Sequence, residues 1–98
     1  MIQSTLSQKD LLQDQMAVLQ LRLDIAQCDT WSIQDGQLAA KQEKENVYYA
    51  YHNERLVKRP GYEIFMQGIE EAAFFKKGEK LYIRWKRADQ TWQAKLAD

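Results

Sequence analysis

Leu12, Met16, Leu19, Leu23 and Ala26 recur at spacings of 4, 3, 4 and 3, a seam that only a helix can place on one face. Leu11, Val18 and Ile25 widen the stripe, and the intervening Gln, Ala, Arg and Met residues favour helix. Ser7 followed by Asp10 resembles a capping box, so a helix is expected over about 8–27. Val18 to Ile25 also alternates in the manner of a strand, and on a helix Leu21 falls off the main seam. Two outcomes follow for the seam. It packs inside the chain, the favoured reading, or it pairs with a second copy as a homodimer through Leu12, Met16, Leu19 and Leu23. Two heptads are short of the three or four that argue for a coiled coil.

After Asp29 the period changes to two. Trp31 and Ile33 alternate with polar residues, Asp35-Gly36 follows, and Leu38 and Ala40 alternate in turn, which is the pattern of a hairpin closed by a tight turn. A helix through Leu38 to Glu45 is the rival reading. Val47, Tyr49 and Tyr51 would share a strand face, Asn53-Glu54 is a turn signal, and Leu56-Val57 a short return strand. Pro60 suits the first turn of a helix, and Tyr62, Phe65, Met66, Ile69, Ala72 and Ala73 follow helical spacing up to Lys76, Lys77 and Gly78. A second helix is therefore expected at about 61–77. The tail alternates on both sides of residues 87–90 and reads as a C-terminal β-hairpin. The expected class is α+β: a long N-terminal helix, a small antiparallel sheet, the second helix and the C-terminal hairpin. All of this fits one domain over residues 1–98.

Composition narrows the chemistry. With 45% apolar residues the chain can build a core, and 14 basic against 14 acidic residues leave no overall charge. The charge is uneven: residues 1–46 carry a net −3 and residues 47–98 a net +3. The twelve glutamines are interleaved with apolar residues and read as neutral surface positions. One cysteine and one histidine leave no donor set for a metal site within one chain, so no metal and no cofactor is expected. The four glycines stand far apart, which excludes a phosphate-cradling loop. Cys28 and His52 are the one conceivable thiol–imidazole pair, and their bland reading is a small buried hydrophobe and a strand end. No catalytic residue is assigned and no enzyme is expected. With no long apolar run and no basic leader, a soluble, cytoplasmic chain without a membrane partner is expected.

Aromatic and amphipathic surface is what remains. The leading expectation is a small non-catalytic protein that binds another protein, as a regulator, adaptor, inhibitor or immunity-type factor. Tyr49, Tyr51, Tyr82, Arg84, Trp85 and Trp92 are its expected contact residues, because tyrosine, tryptophan and arginine dominate protein interfaces. The alternative is a nucleic-acid-binding module built on the basic hairpin, with Lys76, Lys77, Lys80, Arg84, Lys86 and Arg87 facing phosphates. The bland reading of that hairpin is an edge strand protected by charge.

Overall fold

A computed structural model describes residues 8–98. One helix, α1 (Gln8–Ala26), is followed by eight strands: β1 (Cys28–Gln34), β2 (Gln37–Gln42), β3 (Glu45–His52), β4 (Arg55–Arg59), β5 (Glu63–Gln67), β6 (Glu71–Lys77), β7 (Lys80–Arg87) and β8 (Gln90–Ala97). They form two antiparallel sheets in simple sequence order, β1-β2-β3-β4-β5 and β6-β7-β8. The capping residue Ser7 lies outside the described residues. No helix among the described residues is long and apolar enough to cross a membrane.

The expected class is corrected here: the chain is mostly sheet, with a single helix. The expected helix at 61–77 is instead β5, a turn at Gly68, and β6. Tyr62, Phe65, Met66 and Ile69 match helical spacing, but two short strands and the turn between them bury Met66, Ile69 and Phe74 equally well. Gly68 decides between them. It sits at φ +75°, its N–H and that of Ile69 both donate to the Glu54 carbonyl, and a Cβ there would lie 3.2 Å from Arg87 Nη1. The rival helix through Leu38 to Glu45 is also absent, since β2 occupies that stretch.

Two-residue turns join β1 to β2, β2 to β3, β3 to β4, β6 to β7 and β7 to β8. Asp35-Gly36, Glu43-Lys44, Asn53-Glu54 and Ala88-Asp89 all have positive φ at both central residues, the geometry that matches the twist of a hairpin. Each strand of the core then presents alternate residues inward: Leu38 and Ala40, Val47 and Tyr49, Leu81, Ile83 and Trp85. The helix closes this core with Ala17, Val18, Leu21 and Ile25. It lies against β8 on one side and β5 on the other, so one element covers the inner faces of both sheets.

Two aspartates hold the helix there. Asp14 is buried, and Arg87 donates to both of its carboxylate oxygens at 2.9 Å while Trp85 Nε1 donates to one at 3.0 Å. Arg87 is buried too, and its guanidinium also donates to the carbonyls of Gln67 and Gly68 at 2.7 and 3.3 Å. The forked geometry satisfies the pair. Ten residues on, Asp24 accepts from Lys58 Nζ at 2.8 Å and from the Tyr49 hydroxyl, while Gln42 donates to the Asp24 carbonyl at 3.0 Å. Replacing Asp14 with alanine leaves the buried guanidinium with the more exposed Asp10, 3.8 Å away, as its counter-charge. Urea unfolding of Asp14→Ala is expected to show a loss of about 3–5 kcal/mol, most of it recovered when Arg87 is also replaced by methionine. A single-variant loss below about 1 kcal/mol would show the pair to be incidental.

Candidate functional site

The buried and exposed faces of α1 are each apolar. Asp14, Ala17, Val18, Leu21 and Ile25 form the buried stripe. On the other side Leu12, Met16, Leu19 and Leu23 are 55–65% exposed and follow one another along a single line of the helix. This corrects the favoured expectation that the seam packs within the chain. Leu21, expected off the seam, is fully buried and belongs to the core.

Such a ridge is unusual for a solvated helix face. Burying the exposed half of each large side chain would contribute about 1 kcal/mol, so four in a line form a substantial apolar surface left to water. The flanks are rich in uncharged glutamine: Gln8, Gln13, Gln15, Gln20 and Gln27 are exposed, alongside the charged Lys9 and Arg22. Arg22 is held by its Nε donating to the Lys95 carbonyl at 2.9 Å. A groove runs along each side of the ridge. The one toward β8 has a volume of about 370 Å³ and is walled by Leu11, Val18, Trp85, Trp92 and Ala94. The one toward β5 has about 470 Å³, with Ala17, Ile64, Phe65 and Met66 in its wall. A ridge between two grooves is the surface on which a second helix packs.

The six expected contact residues do not form one patch. Tyr49 is fully buried and Trp85 nearly so. Trp92 is half-buried and stacks on Trp85 under the helix, with ring centroids 6.4 Å apart, where it walls the β8 groove. Tyr51 is half-buried, its hydroxyl donating to the Ile69 carbonyl at 3.3 Å. Tyr82 and Arg84 lie on the outer face of the three-stranded sheet, Tyr82 stacked on Phe75 and the Arg84 guanidinium 4.6 Å above the same ring.

The basic hairpin is dispersed in the same way. Arg87 is spent inside the protein on Asp14, the Lys76 ammonium lies 5.9 Å above the Trp31 ring, and Lys86 stands 3.9 Å from Glu70. Lys77 and Lys80 are exposed beside the β6–β7 turn. Cys28 and His52 stay apart. Cys28 is in register with Gln42, which pairs with Glu45 at one end of β3, while His52 is at the other end. Seven residues of strand separate those ends, about 23 Å. His52 Nδ1 is instead 3.1 Å from the Tyr62 hydroxyl.

Near the C-terminal end of the ridge lies a polar cluster. Lys58 Nζ donates to Asp24 and to Gln42 Oε1, both at 2.8 Å. Burial alone would raise the Asp24 carboxyl, but the hydrogen bonds from Lys58 and Tyr49 outweigh it and hold the group below the usual carboxylate range. The Tyr49 hydroxyl is pushed far up by burial and by the adjacent carboxylate. Burial likewise raises the Cys28 thiol, so this cysteine is no activated nucleophile. A carboxylate with a lowered folded value stabilises the fold above its unfolded value of about 3.9, and that contribution drains as the pH falls through the lower folded value. The stability gap between the native protein and Asp24→Asn should therefore be constant above about pH 5 and narrow progressively as the pH falls below the unfolded carboxylate value of about 3.9. Urea midpoints across that range check this, and a gap independent of pH would contradict it.

The polar cluster and the Asp14–Arg87 pair were not found by sequence reasoning. Their signal is slight: Asp14 falls on the stripe of Ala17, Val18, Leu21 and Ile25, and its partner is 73 residues away. The comparisons add one finding. The family model described as "Putative Competence protein ComGF" matches residues 1–92. No curated protein and no solved structure matches the chain. With the match running over nearly the whole sequence, the chain belongs to the ComGF family of competence proteins.

Proposed function

We propose that this chain is a non-catalytic component of the competence apparatus, fixed in a pseudopilus-type assembly by helix-on-helix packing. The observation that carries this is the line of Leu12, Met16, Leu19 and Leu23, apolar and exposed on a helix whose opposite face is buried in the protein's own core. The family supports the setting. The neutral glutamine flanks support the mode, because they add no charge repulsion against a neighbouring helix and can hydrogen-bond at the rim of a packed seam. The fitting partner is the apolar face of a helix in another protein of the assembly. A second copy of this chain, joined through the same four residues, is the rival occupant. The wide separation of Cys28 and His52 supports a role without catalysis.

Charged residues on the ridge test the reading. The double variant Met16→Glu, Leu19→Glu in the intact protein is expected to keep its thermal midpoint within about 3 °C, since neither residue contributes to the core. It should nevertheless lower DNA uptake by competent cells and copurification with other competence proteins by roughly tenfold or more. Full uptake with the double variant would overturn the proposal. Light scattering separates the two occupants: a native dimer that becomes a monomer in the double variant indicates the second copy.

A further inference from the structure

Both sheets have a free edge on the same side of the molecule. β1 pairs only with β2, and β6 only with β7. The two edges meet at one point, where the Phe74 N–H donates to the Gly36 carbonyl at 2.8 Å. Beyond it no ladder joins them, and a cavity of about 510 Å³ lies between Trp31, Ser32 and Ile33 on one side and Phe74, Phe75 and Lys76 on the other.

The backbone groups facing this cleft follow from the register. In an antiparallel pair, the N–H and C=O of one residue point the same way, and the direction alternates along the strand. A two-residue turn closes on a hydrogen-bonded pair, so Gln34 bonds Gln37 and Ser32 bonds Ala39. Trp31 and Ile33 therefore turn their N–H and C=O groups away from β2, into the cleft. On β6, the bond from Phe74 to Gly36 shows that Phe74 faces the free side, and by alternation so does Lys76. Two strand edges, both with unpaired donors and acceptors, thus face one opening. Unpaired edges are the template on which an added strand forms.

We propose that this cleft binds an extended segment of a partner protein, which adds a strand to the free edge of β1 and runs alongside β6. Its side chains are specified by the lining. Trp31 and Ile33 are half-buried on one face of β1 and offer apolar contact to alternate positions of the segment. Lys76 is the one charged residue of the lining, its ammonium resting on the Trp31 ring with no ion pair among the described residues. A carboxylate side chain therefore fits beside it. The occupant is an extended segment of alternating apolar residues bearing one acidic side chain, bound independently of the helix ridge.

Amide hydrogen exchange tests this in two steps. In the free protein the amides of Trp31, Ile33 and Lys76 are expected to exchange roughly tenfold or more faster than those of Ser32 and Phe75, which are paired to β2 and β7. A blocked seven-residue peptide of alternating valine and threonine with a central glutamate, added at millimolar concentration, should then slow Trp31, Ile33 and Lys76 by roughly tenfold. The slowing should vanish with proline at the peptide's centre, and weaken severalfold when its glutamate is lysine or when Lys76→Glu is used. Equal exchange of both sets in the free protein would overturn the proposal. So would no slowing with the glutamate peptide, slowing confined to other elements, or equal slowing by the glutamate and lysine peptides.

Discussion

A buried carboxylate fixes the rotation of the helix, and the rest of the molecule follows from it. Asp14 has no acceptable place on α1 except against Arg87 and Trp85, because an ionised group taken from water without such partners is heavily penalised. Arg87 ends β7 and also gathers the carbonyls of the β5–β6 turn. One pair therefore ties the helix to both sheets, and Asp24 with Lys58 and Tyr49 repeats the attachment nearer the helix end. With these two points set, Ala17, Val18, Leu21 and Ile25 can only face inward.

The same constraint exposes the ridge. A helix turned to bury Leu12, Met16, Leu19 and Leu23 would gain apolar burial but would carry Asp14 toward solvent and strand Arg87 inside. Since removing one partner of a buried pair costs about 3–5 kcal/mol, the polar pair is strong enough to choose between two apolar faces. What the fold leaves over is a surface suited to another helix, and that surplus supports a role in assembly. At the far side of the molecule the two sheet edges offer a second, different mode of contact through the backbone of β1 and β6.

Much of this was legible in the residues, and the gaps have physical causes. The helix over Gln8–Ala26 and the strands around Asp35-Gly36 announce themselves by period and turn chemistry. The stretch from Tyr62 to Lys77 does not, because apolar residues three or four apart serve a helix or two short strands alike until Gly68 is known to need a positive φ. Turns such as Glu43-Lys44 and Ala88-Asp89 carry no glycine or asparagine, and non-glycine residues in that conformation each cost about 1 kcal/mol, so the turn within 87–90 shows only through the alternation on either side of it. The candidate site was half visible. Leu12, Met16, Leu19 and Leu23 stood out as a set, but which way the set faces depends on Arg87, far along the chain. Tyr49 and Trp85 look like interface residues by type, and their hydroxyl and indole N–H are instead satisfied by Asp24 and Asp14 in the interior.

Cysteine labelling reports which face of the helix meets solvent. With Cys28→Ser as background, single cysteines replace Leu12, Met16, Leu19 and Leu23, or Ala17, Leu21 and Ile25, and the rate of alkylation is measured in the folded, monomeric protein. Fast labelling is expected throughout the first set and slow labelling throughout the second. Protection of the first set with fast labelling of the second would mean that the helix is turned the other way and that Asp14 does not fix its rotation.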